Sequence, residues 1–587
     1  MDTKILNPKK ETYNRRKRRM FLAALIFAVL VGVFTAAPSF VFLKQVGSDY
    51  KEVWPAFDGD SLYYFARIGE ILDGQKSINH PYFAEHKEEP YPQASAGEYF
   101  VAYVSKLLNT IPPIAQIWFD LFGSMLIFLL LFYFFRIFNP YHPILAVVLP
   151  FLFVTVITGG FFKPIHSQIS FPLLILFLIL WAHAVLHRKR GAAKIICAGI
   201  ILGFLFLTYF YHWSFVVVIL GVYAILEIFR RNYREVFRSG WILLIGIIVG
   251  LPYFYSVWAG LSAPNHAETM VRVGVYFSHL PETLPRLAVA IVWLASFVSV
   301  SWRYRLLGAK DNQILLTFLI ANIIYPNHQI ISGMIIQNAN HWSWMPVFIY
   351  LLTGSYLIGK ILASNERKSG KILITSIVCM LMIIPSARLS SFHFSWKRHL
   401  SGSQDYYLNI QRYGGLFSWI NNNTKKGSVF LSDFDLMGFI PAYTHANVYY
   451  HTYAFNLPGS DLEIVERALI SRIFEPEFYD DPHFGMTVDN RILWTQPAQT
   501  ERNTHKIYDI LGLEYEKKYD LRTEVAYVNS VLTGLGSDRY SINLLGKYRL
   551  DYIVWDKKTK QNWNLDVYPE LELVFEEDGI AAYKLKK

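Results

Sequence analysis

The chain has 587 residues, 53% hydrophobic and 17% aromatic, with a formal net charge of +11. Apolar residues arrive in runs of roughly 18 to 25, the length that crosses a bilayer core, whereas a soluble protein of this size would show shorter amphipathic segments. Composition therefore excludes an ordinary soluble protein. The two cysteines, Cys197 and Cys379, both lie inside apolar runs and suggest neither a disulfide framework nor a thiolate metal cluster.

The first nineteen residues, MDTKILNPKKETYNRRKRR, hold eight Lys/Arg against two acids, a net +6 of the chain's +11. Beside a spanning segment such a tail holds the N-terminus in the cytoplasm rather than binding nucleic acid. The next stretch, 20–44, is too long for the apolar core of a signal peptide and reads as an uncleaved first helix. About ten further spans follow, at 114–137, 142–159, 168–187, 193–209, 212–229, 240–258, 284–302, 312–330, 343–362 and 371–389. Alternate connections carry the basic residues: Arg136, then Arg188 to Arg190, then Arg230 to Arg238, then Arg303 to Lys310, then Lys360 to Lys371. The intervening short loops carry almost none, which predicts an N-in topology. An odd span count then puts the loop 45–112 and everything after Leu389 outside the cytoplasm, in the plasma membrane of the cell.

After residue 390 the composition becomes that of a soluble domain. GSVFLSD, NVYYHTYA and YRLDYIVWD read as short strands, and SDLEIVERALISRIF has helical spacing. ELVFEEDGIAAYKL reads as a hairpin turning at Asp578-Gly579. The expected fold is a polytopic α-helical membrane protein of about eleven spans with a C-terminal extracytoplasmic α/β domain. Its parts are a cytoplasmic tail 1–19, a transmembrane domain 20–389 and a soluble domain 390–587.

In the first outer loop, FDGDSLYYFARIGE places Asp58 and Asp60 at the start of a short amphipathic helix expected to lie on the membrane. Backbone N–H groups and the helix dipole favour anions there, so plain helix capping is an equal reading of the pair. No G-x-x-x-x-G-K-S/T, strand-borne G-x-G-x-x-G, H-E-x-x-H or Cys/His zinc spacing occurs.

The stretch DSLYYFARIGEILDG, followed by YPQASAGEYFVAYVSKLLNTIPP leading into the second span, resembles the first external loop of GT-C membrane glycosyltransferases. It is most similar to the oligosaccharyltransferase catalytic subunits, whose bacterial members read approximately D-G-Y-Y-F-A. Asp60 lies one residue farther from YYFA than that pattern, so Asp60 or Asp58 is the matching carboxylate. The resemblance implies an Asp that acts on the acceptor, and a divalent metal held by that Asp and two further acids. Neither further acid is present. At the family's D-x-E this chain has TGGFFKPIHSQIS, with Lys163 and His166; at the T-I-x-E glutamate it has Arg272. Basic groups can stabilise a leaving phosphate as a metal does, so Arg272, Lys163 and His166 are the expected donor-phosphate residues. His341, in NANHWSWMPVFIYLL, stands where the family has a phosphate-contacting Arg. The W-W-D-Y-G motif that holds an Asn-x-Ser/Thr acceptor is replaced by VFLSDFDLMGFIPAYTHANVYYH, with Asp433 and Asp435 as candidate acceptor-binding residues.

The expected activity is transfer of a sugar from a polyprenyl-phosphate-linked donor to a protein, lipid or glycan acceptor at the bilayer surface, without a metal cofactor. A divalent ion stays possible. The alternatives are an oligosaccharyltransferase acting on protein Asn and a non-enzymatic flippase or transporter for lipid-linked sugars.

Overall fold

The computed structural model describes residues 8–55, 60–75, 78–90, 93–140, 142–157, 163–187, 191–281, 283–336, 344–364, 368–393, 404–475, 491–536 and 541–586. It is a multi-pass helical membrane protein with a C-terminal mixed-sheet domain. The expected apolar spans fall largely on helix. Among the described residues six helices are long and apolar enough to cross a bilayer: Arg18–Asp49, Pro112–Phe138, His166–Leu186, Phe210–Phe229, Leu284–Arg303 and Met345–Ala363. A seventh counts if the pair Tyr233–Val249 and Leu251–Leu261, bent by 66°, is one span. The others depart from the expectation for local reasons. Pro143 opens a ten-residue helix that turns to π geometry at Phe153–Ile157, and Lys310–Ile324 stops where Tyr325-Pro326 begins a 3₁₀ turn. The residue before a proline is disfavoured in helix, and the proline itself has no N–H to donate.

The 66° bend sits at Gly250, with Pro252 in the first turn of the second helix. Around it two glycine pairs face each other, Gly199/Gly203 on Gly191–Phe206 and Gly246/Gly250 at the end of Tyr233–Val249. A Cβ on Gly199 would come 2.6 Å from Ile245, and one on Gly246 2.8 Å from Leu202. Both are four-residue small-residue spacings that let helix backbones approach in a bilayer.

The C-terminal domain is built on a five-stranded sheet. Its strands are β3 (Val429–Leu431), β4 (Asn447–Val448), β5 (Tyr552–Asp556), β6 (Leu571–Glu577) and β7 (Ile580–Leu585), in the order β4-β3-β5-β7-β6. β4, β3 and β5 run parallel, and β7 and β6 extend the sheet antiparallel. The β6–β7 hairpin turns at Asp578 and Gly579, both at positive φ (52° and 80°), the requirement of a type I′ turn. A separate two-stranded ribbon, β1 (Tyr276–Phe277) with β2 (Met334–Ile335), ties two inter-helix loops together.

The first loop is not independent of this domain. Tyr63, Tyr64, Phe65 and Ile68 of the helix Ser61–Leu72 share one core with Tyr82, Phe83 and Ile165, and with Phe430, Leu436 and Ile440 of the domain. Gly69 lies against the Pro441 carbonyl and Leu62 against Gly438 of the helix Phe434–Tyr443. The expectation that this helix lies on the membrane is therefore corrected: its apolar face is covered by the C-terminal domain. On its other side the fully buried pair Arg67–Glu98 (2.8 Å) ties it to the helix Ala96–Leu107.

Candidate active site

Asp60 stands at the N-cap position of Ser61–Leu72, with φ −81° and ψ −13°. That backbone is helical rather than the extended conformation of a capping residue, and the Asp60 side chain makes no capping bond. Instead its Oδ2 accepts a hydrogen bond from Lys163 Nζ at 2.5 Å, and its Oδ1 accepts one from the Tyr453 hydroxyl. Both charged side chains are about one-third exposed, at 35% for Asp60 and 31% for Lys163. Two residues that sequence comparison placed separately, 103 positions apart, thus form one ion pair.

Tyr453 comes from the C-terminal domain, in the 3₁₀ turn Thr452–Asn456. Its ring stacks on Tyr63 (5.2 Å, 11°) and on His451 (5.6 Å, 9°). Its carbonyl accepts from His80 Nε2 at 3.0 Å, and the His451 ring accepts from its amide. Tyr82 in turn stacks on His451 at 4.3 Å. Burial pushes His80 and His451 down to about 3, so both are neutral near pH 7 and add no charge beside Asp60. Sequence reading missed Tyr453. It stood in view in NVYYHTYA, but only as a strand.

His166, three residues beyond Lys163, opens the π segment His166–Ser170. Its ring lies among Tyr209 (4.8 Å), His212 (5.9 Å) and Trp344 (6.1 Å). Below it the buried Asp120, in the π turn Phe119–Gly123, accepts from Gln168 (2.5 Å) and Gln116 (2.8 Å). This satisfies a carboxylate that would be costly in the bilayer.

Three assignments change. Arg272 is fully buried and its guanidinium is spent on protein: it pairs with Asp461 and donates to the carbonyls of Leu457 (2.6 Å) and Gly459 (2.7 Å). Glu268 accepts from the Asp461 amide at 2.5 Å in the same clamp. Arg272 therefore fastens the helix His266–Arg272 to the C-terminal domain, with its guanidinium buried against protein groups. Asp433 is buried and is the N-cap of Phe434–Tyr443, accepting from the Leu436 amide (3.0 Å) and the Thr559 hydroxyl (3.2 Å). Burial raises its pKa. It serves as a capping residue of this helix. Asp435 is exposed in the first turn of the same helix, a position that suits an acid beside the N-terminal dipole. Asp58 and His341 lie outside the described residues.

Among the described residues no three His, Cys, Asp or Glu side chains stand where they could share a metal ion. The Lys163 ammonium lies on the Asp60 carboxylate.

No protein family model and no curated protein sequence matches the chain. The chain is similar to an oligosaccharyltransferase and to ArnT. The Archaeoglobus fulgidus oligosaccharyltransferase, solved with a tethered acceptor peptide containing the NVT sequon, is 13% identical. The match covers 92% of this chain and 69% of that one, with a TM-score of 0.45. Its apo form gives 14% identity over 92% and 70%, also at 0.45. ArnT from Cupriavidus metallidurans, bound to undecaprenyl phosphate, is 11% identical over 94% of this chain and 97% of that one, at 0.44.

Proposed function

We propose that the chain is a membrane glycosyltransferase that takes a sugar from a polyprenyl-phosphate-linked donor and passes it to an acceptor outside the cytoplasm. The observation that supports this reading is the one-third-exposed Asp60–Lys163 pair between the helical bundle and the C-terminal domain. The carboxylate there is not used for capping and lies against the ammonium instead. In the reaction Asp60 accepts the proton of the acceptor hydroxyl or amine. The acceptor atom bonds to the anomeric carbon, and the bond from that carbon to the phosphate oxygen breaks. The phosphate leaves with the electron pair, and Lys163, with His166 beside it, meets its charge. Arg272 has no part in this. Lys163 performs the charge stabilisation without an ion, so turnover needs no divalent metal.

The test is transfer from a panel of synthetic polyprenyl-phosphate sugars by the full chain in nanodiscs, with excess EDTA. Asp60→Asn should lower turnover by about 10²–10⁴. Full turnover by Asp60→Asn would refute the reading. Activity lost to EDTA and restored by Mn²⁺ or Mg²⁺ would refute its metal-free form.

A further inference from the structure

The site as folded holds its two working groups against each other. Lys163 Nζ lies on Asp60 Oδ2, the oxygen that a proton from an acceptor would reach, while Oδ1 is occupied by Tyr453. A carboxylate whose oxygens accept from an ammonium and a phenol is a poor base. An ammonium neutralised by a carboxylate is a poor phosphate ligand.

The two partners are not equally fixed. Asp60 is anchored through Tyr453, whose ring is sandwiched by Tyr63 and His451 and whose carbonyl is held by His80. Lys163 carries a compact charge on a flexible four-carbon stem with three rotatable donors. Of the two, the lysine is the one built to move.

We propose that Asp60 and the phosphate of the donor compete for the Lys163 ammonium, so that arrival of the donor is what unmasks the carboxylate. The inference rests on the glycosyltransferase reading and adds an order to it. The donor phosphate draws Lys163 away from Oδ2, Tyr453 keeps the carboxylate in place, and the carboxylate, no longer neutralised by the ammonium, regains its basicity toward the acceptor proton. An acceptor arriving first meets a base already neutralised. Competition of this kind is reciprocal: whatever Asp60 contributes to holding Lys163 is lost from phosphate affinity.

The experiment is a titration of farnesyl phosphate, a short polyprenyl phosphate without a sugar, into the full chain in nanodiscs. Wild type, Asp60→Asn, Lys163→Met and the double variant are compared, with thermal melting to confirm that each is folded. Lys163→Gln replaces the methionine variant if that one is unstable. Asp60→Asn should bind farnesyl phosphate about tenfold more tightly, since the competitor's charge is gone, and Lys163→Met about tenfold more weakly. In the Lys163→Met background, removing the Asp60 charge should give no gain, because the competed group is absent. Affinity unchanged or weakened by Asp60→Asn would overturn the proposal. So would a gain of the same size in the Lys163→Met background, which would mean simple repulsion between carboxylate and phosphate. The binding result is independent of catalysis. Full turnover by Asp60→Asn defeats the enzyme reading, whereas lost turnover without tighter binding defeats the exchange alone.

Discussion

Asp60 illustrates how the same residue type at the same position can cap a helix or do chemistry. Its helical φ and ψ turn the carboxylate away from the amides of the first turn and toward Lys163 and Tyr453. Tyr453→Phe keeps the stacking on Tyr63 and removes only the hydroxyl. A hydrogen bond to a carboxylate favours its charged form, so losing it raises the pKa of the base. The acidic limb of the transfer pH profile should then move to higher pH, by roughly half a unit to one unit. A tyrosine that merely filled space would lower turnover equally at every pH. Arg272 makes the opposite case. Removing one partner of a buried pair leaves a stranded charge and costs about 3–5 kcal/mol. Arg272→Leu should therefore lower the melting temperature sharply and abolish activity through loss of folding. A normal melting curve with lost turnover would return Arg272 to the site.

At the scale of elements, the loop beside the C-terminal domain carries a pH-sensitive fastening. His86 Nδ1 lies 2.8 Å from Glu89, and its Nε2 lies 3.0 Å from Glu463 on the helix Asp461–Ile470. Burial alone would push this imidazole down, but the two carboxylates outweigh it and its pKa is raised. A raised folded-state value means that the bridge is fully present below the unfolded value of about 6.5 and fades as pH rises through the folded one. The amide protection factors of residues 84–90, corrected for the intrinsic base-catalysed rate, should thus fall between pH 6 and pH 8 in the wild type, and His86→Gln should flatten that dependence. An identical pH response in both would exclude the bridge as its origin. In the membrane, the glycine pairs make a sharper demand. A Cβ at Gly199 would enter Ile245 and one at Gly246 would enter Leu202, so Gly199→Val or Gly246→Val should separate the two helices. The measurement is thermal stability in detergent, with an exposed-face Gly221→Ala, whose Cβ meets nothing within 4 Å, as the unaffected control.

For the whole molecule, orientation decides whether the donor reading is feasible, since a lipid carrier is needed only where nucleotide sugars are absent. The alternating basic connections predict that the C-terminal domain lies outside. A periplasm-active reporter joined after Lys587 should be active and a cytoplasm-active one silent; the reverse would remove the site from the face where lipid-linked sugars are presented.

Much of this architecture was legible locally. The long apolar runs fall on helices, the Asp578-Gly579 turn folds as a hairpin because few other dipeptides accept two positive φ values, and the helical spacing of SDLEIVERALISRIF folds as the helix Asp461–Ile470. Apolar length, turn chemistry and capping are properties of neighbours in the chain, so the chain alone determines them. The site was legible only in part. Asp60, Lys163 and His166 could be picked out by residue type, but their partners could not. Tyr453 reaches Asp60 across 393 positions, and Asp461 reaches Arg272 across 189. Whether a basic residue in an outer loop holds a ligand or a carbonyl depends on which distant segment lands on it. That is settled by the shared core that presses the C-terminal domain onto the first loop, burying Arg272 completely while leaving Asp60 and Lys163 about one-third exposed.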